Sequence, residues 1–248
     1  MPRVSFRKLV GRIIFISLLL GAAVLTPTSV AQAEVYNCGT QGNWFDGYYE
    51  NPSYLSNPPA DWYEGASTYI VTREGLVCDT NTSSSNFATG WSMIAAGNGS
   101  GWAQSGYFRS YGSSITYFSQ IASDSTHFQT VFRYNPILGS THAYRSLYWS
   151  GCGCIQTTVD STVFQQSTFN PYGRWSFPFV PQFFGETAYR ESDMPGLSSS
   201  PMTFWGLGVQ RYTDDVLVSI PCILLSRVDS TRWGLSPSGC TAFNVYTH

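Results

Sequence analysis

Between residues 67 and 246 the chain repeats one local pattern. Short runs rich in Tyr, Phe, Val, Ile and Thr recur every 8 to 15 residues, separated by Gly, Pro, Asn and Ser. β-Branched and aromatic side chains suit a pleated, half-buried strand, and the separating residues are those that tight turns demand. Strands are predicted at 67–72, 90–95, 102–109, 114–122, 127–133, 143–149, 155–165, 175–180, 183–190, 203–212, 216–220 and 242–246. No window beyond the first 33 residues carries a convincing 3.6-residue apolar period, so helices are not expected. About twelve strands in one unit favour two stacked sheets. The expected fold class is all-β, a two-sheet antiparallel β-sandwich of jelly-roll or concanavalin-like type.

Residues 1–33 follow a different rule. Arg3, Arg7, Lys8 and Arg12 precede an apolar run from Ile13 to Val24, and Ala31-Gln32-Ala33 supplies a small-x-small cleavage signal. This is the layout of a secretory signal peptide. The run is too short to span a bilayer, which takes roughly 20 apolar residues. The expected organisation is a signal peptide at 1–33 and a single domain at 34–248, secreted, with no membrane attachment after cleavage and monomeric.

Beyond the leader there is no lysine, and nine arginines face fifteen carboxylates, a net charge of −6. Phosphate binding needs clustered cations, so nucleic acid is not an expected partner. Schiff-base and Ser-Lys chemistry lack their amine. With few ionisable groups, little protonation-linked free energy accumulates between folded and unfolded states, so tolerance of acid is expected.

The six cysteines, Cys38, Cys78, Cys152, Cys154, Cys222 and Cys240, all follow the leader. In an oxidising compartment they read as structural disulfides. Cys38 with Cys78 and Cys222 with Cys240 are the economical local pairings, which leaves Cys152 and Cys154 either bonded to each other or part of another pattern. No Cys-x-x-Cys occurs, and His127, His142 and His248 are scattered, so neither a metal nor a cofactor is expected. The segment 34–66 is dense in aromatics and carries Pro52, Pro58 and Pro59. Those prolines argue against a central strand; the segment is expected to pack as an aromatic flap or to display rings to a sugar.

The common catalytic signatures are missing: no Gly-x-Ser-x-Gly elbow, His-Glu-x-x-His helix, Walker loop or dinucleotide fingerprint. A Ser-His-Asp triad would have to use His127 or His142, and neither sits beside an obvious nucleophile turn. What remains is water activated by a carboxylate, with a donor for the oxyanion. Period-2 alternation puts Trp102, Gln104, Gly106 and Phe108 on one strand face, and Phe184, Glu186, Ala188 and Arg190 on another. Gln104 is the polar member of its row. A carboxylate among aromatics, as at Glu186, has its pKa raised toward the range useful for proton transfer. The bland alternative is a half-exposed Glu paired with Arg190.

The order Trp91-Ser92-Met93-Ile94, Ala103-Gln104-Ser105-Gly106, Tyr117-Phe118-Ser119-Gln120, Phe184-Gly185-Glu186-Thr187-Ala188-Tyr189 and Met202-Thr203-Phe204 resembles the glutamic peptidases of the eqolisin type, and more weakly the neprosin-like peptidases. The resemblance covers roughly residues 90 to 212, and Glu186 follows Gln104 by 82 residues. It implies a secreted β-sandwich hydrolase of polypeptides. Glu186 would activate water and then protonate the leaving amine, and Gln104 would stabilise the oxyanion. Trp91, Trp102, Phe118 and Phe184 would border the substrate. Gln120 stands where the family carries an acid, and only Glu186 matches the two glutamates of a neprosin-type site. The competing expectations are a lectin-like, carbohydrate-binding sandwich or a glycoside hydrolase, for which Glu191 and Asp193 offer a second pair of carboxyls but at the loop end of their strand.

Overall fold

A computed structural model of the chain describes residues 38–39, 41–49, 62–78, 86–220, 225–239 and 241–248. The predicted leader, Cys222, Cys240 and the prolines at 52, 58 and 59 lie outside the described residues. In chain order the strands are β1 (Gln41–Tyr49), β2 (Tyr63–Val71), β3 (Phe87–Ala95), β4 (Trp102–Ser110), β5 (Thr116–Ala122), β6 (Phe128–Arg133), β7 (Thr141–Trp149), β8 (Cys154–Val159), β9 (Thr162–Gln166), β10 (Val180–Tyr189), β11 (Gly196–Leu197), β12 (Ser200–Arg211), β13 (Leu217–Ser219), β14 (Leu225–Val228), β15 (Trp233–Pro237) and β16 (Ala242–Thr247).

They form two sheets. The seven-stranded sheet runs β14-β1-β10-β3-β4-β5-β6, and the nine-stranded sheet runs β15-β16-β11-β12-β2-β7-β8-β9, with β13 beside β12. Pairing is antiparallel apart from a single parallel contact between β11 and β16. The all-β sandwich expected from the strand pattern is therefore the observed architecture.

Alternation decides what the core contains. On β4, Ala103, Ser105 and Tyr107 are buried and point inward, while Trp102, Gln104 and Phe108 are only half-buried on the opposite face. Tyr107, Phe183, Met194 and Met202 pack with Ile70, Tyr144, Phe204, Val209 and Phe243 in the largest cluster of buried side chains. A smaller one joins Ile94, Ala103 and Ile121 to Ile155, Trp175 and Phe179.

Three strand expectations are corrected. Residues 41–49 form β1, an inner strand hydrogen-bonded to β10 on one side and β14 on the other. The described part of the aromatic segment is thus part of a sheet, and its strand ends at Tyr49, short of the prolines. The run 155–165 is a hairpin, β8 and β9, folded at Asp160, whose φ of 53° is left-handed. Most of 175–180 is not a strand: it follows a 3-10 turn at Pro171–Gly173, and Trp175 instead donates its indole N–H to the Ala122 carbonyl at 3.1 Å.

Cys38 is bonded to Cys78, the predicted local pairing, and Cys152 is bonded to Cys154 across Gly153.

Candidate active site

The outward face of the seven-stranded sheet is where the expected site residues lie. Phe183 is directed inward into the core, so its neighbours Phe184 and Glu186 fall on the outer face of β10 by parity. Antiparallel register sets Phe184 opposite Trp91 on β3 and Glu186 opposite Thr89 on β3 and Phe45 on β1. Trp91, Phe118 and Phe184 are almost fully buried there, with Phe45, Tyr49, Met93 and Phe108 packed against them. Ring centroids lie 5.3 Å apart for Trp91 and Phe184 and 5.7 Å for Phe45 and Phe184, distances at which offset and edge contacts are favourable.

Gly106 makes this layer possible. It sits between Trp91 and Phe118 in the cross-strand row, and a Cβ there would collide with the Gly90 carbonyl oxygen and come within 2.8 Å of Trp91 Cβ.

Glu186 stands in this aromatic layer, 8% exposed. Trp91 Nε1 donates to Glu186 Oε2 at 2.7 Å. Burial pushes the carboxyl up to about 7, opposed by the Trp91 hydrogen bond and by the charge of Arg227. Arg227 lies over the Phe45 ring, 4.6 Å from its centroid, and pairs with Asp229 at 2.7 Å, so it is not the direct partner of Glu186. The expected alternative, a half-exposed Glu paired with Arg190, is not what is seen; the Arg190 guanidinium lies over Trp44.

Gln104 is part of a polar chain. Its Nε2 donates to Gln120 Oε1 at 3.0 Å, the same oxygen accepts Trp102 Nε1 at 2.8 Å, and Gln120 Nε2 donates to Thr130 Oγ1 at 2.8 Å. These bonds leave the second N–H of the Gln104 amide available. Glu186 and Gln104 both line a hollow of about 240 Å³, together with Asn43, Thr89, Phe118, Gln120 and Phe132. Among the described residues lining it, Glu186 is the one ionisable group.

The register also measures their separation. β3 lies between β10 and β4, and Glu186 faces Thr89 whereas Gln104 faces Met93, four residues further along β3. In a flat sheet that offset sets the Cα atoms about 16 Å apart.

Of the residues expected to border a substrate, Phe118 lines the hollow, Trp91 and Phe184 are buried beside it, and Trp102 holds Gln120 at its edge while stacking on Phe128 at 6.4 Å. Asn43 and Thr130 are not readable from the sequence as lining residues, because only the pairing of β1 with β10 and of β5 with β6 brings them there. The carboxyls of Glu191 and Asp193 are engaged elsewhere, by the Gly39 N–H at 3.0 Å and by Arg232 at 2.9 Å.

This architecture of two antiparallel sheets is the fold of the glutamic peptidases of the eqolisin type. Structures of scytalido-glutamic peptidase with a peptide-based transition-state analogue and with a transition-state analogue inhibitor superpose with TM-scores of 0.57 and 0.54 at 13% and 11% identity. A structure of SCP-B, a member of the eqolisin family, in complex with the tripeptide Ala-Ile-His gives 0.53 at 10% identity. Each match covers 84% of this chain and 100% of the other. No family model and no curated protein matches the sequence.

Proposed function

We propose that this protein is an exported, cofactor-free endopeptidase in which Glu186 activates the hydrolytic water and Gln104 stabilises the oxyanion. Trp91 occupies Oε2 of Glu186, so Oε1 is the oxygen offered to water. As general base it takes a proton while the water oxygen attacks the scissile carbonyl carbon. The negative charge that develops on the carbonyl oxygen is met by the second N–H of Gln104, a donor preoriented through Gln120. Glu186 then returns the proton to the leaving nitrogen, and the C–N bond breaks.

The observation that carries this reading is a buried carboxyl, held by an indole N–H, sharing one hollow with a preoriented amide in a fold that the glutamic peptidases also have. The test is proteolysis of an unfolded protein from pH 2 to 7 by wild type, Glu186→Gln and Gln104→Ala. Loss of about 100-fold or more in kcat/KM in both variants, with unchanged melting temperatures, is expected. Wild-type cleavage that survives Glu186→Gln would remove Glu186 from the mechanism, and no cleavage at any pH would remove the peptidase.

A further inference from the structure

The loop joining β6 to β7 and the tip of the β8–β9 hairpin bring together three residues that lie apart in sequence. His142, at the start of β7, has its Nε2 2.8 Å from Ser140 Oγ and its Nδ1 3.0 Å from Asp160 Oδ2. A carboxylate on Nδ1 fixes the proton there and leaves Nε2 as the acceptor facing the serine hydroxyl. That is the order of contacts by which a serine is activated as a nucleophile.

Each member is held from behind. Asp160 Oδ1 accepts the Ala143 N–H at 3.0 Å, and the Asp160 N–H donates to the Ala143 carbonyl at 2.7 Å, which locks the left-handed hairpin tip onto β7. The serine turn is closed by Ser140 N–H to the Ile137 carbonyl at 3.0 Å and stitched to β2 by Gly139 N–H to Thr72 O at 2.9 Å and Thr72 N–H to Ser140 O at 2.8 Å. Ser140 Oγ donates to the Ile137 carbonyl and the Tyr117 hydroxyl lies 2.8 Å from the same imidazole nitrogen, so the serine proton turns from that carbonyl to Nε2 in place of the Tyr117 hydroxyl before attack. Arg73 Nη1 stands 3.6 Å from where a Cβ on Gly139 would be, so a cation adjoins the turn. The turn displays Ile137 at 77% and Leu138 at 53% exposure, with Tyr134 close in sequence at 76%. This apolar skirt beside a polar trio is unlike the hollow at Glu186, with which it shares no residue.

We infer that Ser140, His142 and Asp160 form a second hydrolytic site, acting on carboxylic esters that carry an apolar acyl group. Ser140 Oγ attacks the ester carbonyl carbon as its proton passes to His142 Nε2. The tetrahedral intermediate collapses, the C–O bond to the alcohol breaks, and the departing oxygen takes the proton from the imidazolium. Water, deprotonated by the same nitrogen, then attacks the acyl-serine carbonyl; its C–O bond to Ser140 Oγ breaks, the serine oxygen takes the proton back from the imidazolium, and the acid is released. Asp160 is the positioning residue, and Arg73 is the cation that faces the oxyanion.

The experiment is exposure of the purified full chain to an alkyl fluorophosphonate, with the adduct mapped by mass, alongside hydrolysis of p-nitrophenyl butyrate. A single adduct on Ser140 is expected, lost in Ser140→Ala and formed about 100-fold more slowly in His142→Gln. Asp160→Asn, which keeps the shape but offers a donor to Nδ1, should slow it about tenfold or more at an unchanged melting temperature. Because Ser140→Ala also loosens the turn, Ser140→Cys provides an independent arm: its alkylation by iodoacetamide should fall about 100-fold when His142→Gln is added. A folded wild type that takes no adduct at Ser140, or labelling indifferent to His142→Gln, overturns the proposal.

Discussion

At Glu186 the Trp91 indole N–H, aided by the charge of Arg227, opposes the desolvation of a carboxyl, and this balance sets when the group is ionised. Trp91→Phe keeps the ring in its layer but deletes the donor to Oε2. The hydrogen bond lowers the pKa, so its loss moves Glu186 further above about 7. If the ionised form is the base, the ascending limb of kcat/KM moves to higher pH in Trp91→Phe, and activity at pH 5 falls about tenfold for every pH unit that the limb travels. A pH–rate profile checks this, and an unmoved limb would assign the limb to another group. That Glu186 and Gln104 lie on strand faces is legible in the sequence from parity, which makes Gln104 the polar member of its row and sets Glu186 beside Phe184. Ser140 is not: it follows a glycine in a turn, and its acid lies 20 residues on, at a hairpin tip hidden inside a run with the composition of one continuous strand. Only the β7–β8 register reveals that Asp160 returns to the start of β7.

Among the elements, β3 to β7, β10, β12 and β16 are legible in the sequence, and β1, β14 and β15 are not. β3, β4, β5 and β7 lie close to their predicted bounds because hydrophobic alternation and clean turns coincide there. β1 is masked in the sequence by prolines that lie beyond its end, while β14 and β15 are short, and β14 pairs with the distant β1. Trp175–Val180 has the composition of a strand but uses its rings to fill one end of the sandwich, against Phe169, Tyr172 and Tyr212. Within the seven-stranded sheet Gly106 is a point with no room for a side chain. Gly106→Ala drives a methyl into the Gly90 carbonyl and Trp91, and should destabilise by about 3 kcal/mol, read as a lower midpoint in urea. An unchanged midpoint would mean that β3 and β4 can separate there without loss.

Across the whole molecule, two further acids sealed inside the fold join Glu186 in setting its response to pH. Asp46 is fully buried and raised to about 7 by burial, with the Asp229 N–H opposing and the Asp229 charge adding. Glu64, 1% exposed, is raised to about 8 by burial, opposed by the Tyr172 hydroxyl and reinforced by Asp215 and Asp214. Both bind their protons in the folded state at pH values where the unfolded chain has released them. Stability is then greatest near and below pH 4 and declines as pH rises from there through 7 to 8. Surface acids with lowered pKa act in the opposite sense only at the acid end: Asp124 is held down by Thr126 and His127, and Asp214 by Arg211. The melting temperature should therefore be higher at pH 4 than at pH 8, and Glu64→Gln should flatten the difference; a domain more stable at pH 8 would contradict the assignment.

The first of the described strands to leave the ribosome is hydrogen-bonded between residues 182–189 and residues 225–228. A nascent chain keeps Trp44, Phe45, Tyr48 and Tyr49 without β10 until residue 189 has been synthesised, and Tyr48 and Tyr49 without β14 until residue 226. That delay keeps the emerging chain threadable, and it also makes a truncation after residue 220 leave this aromatic strand with one bare edge, open to self-association.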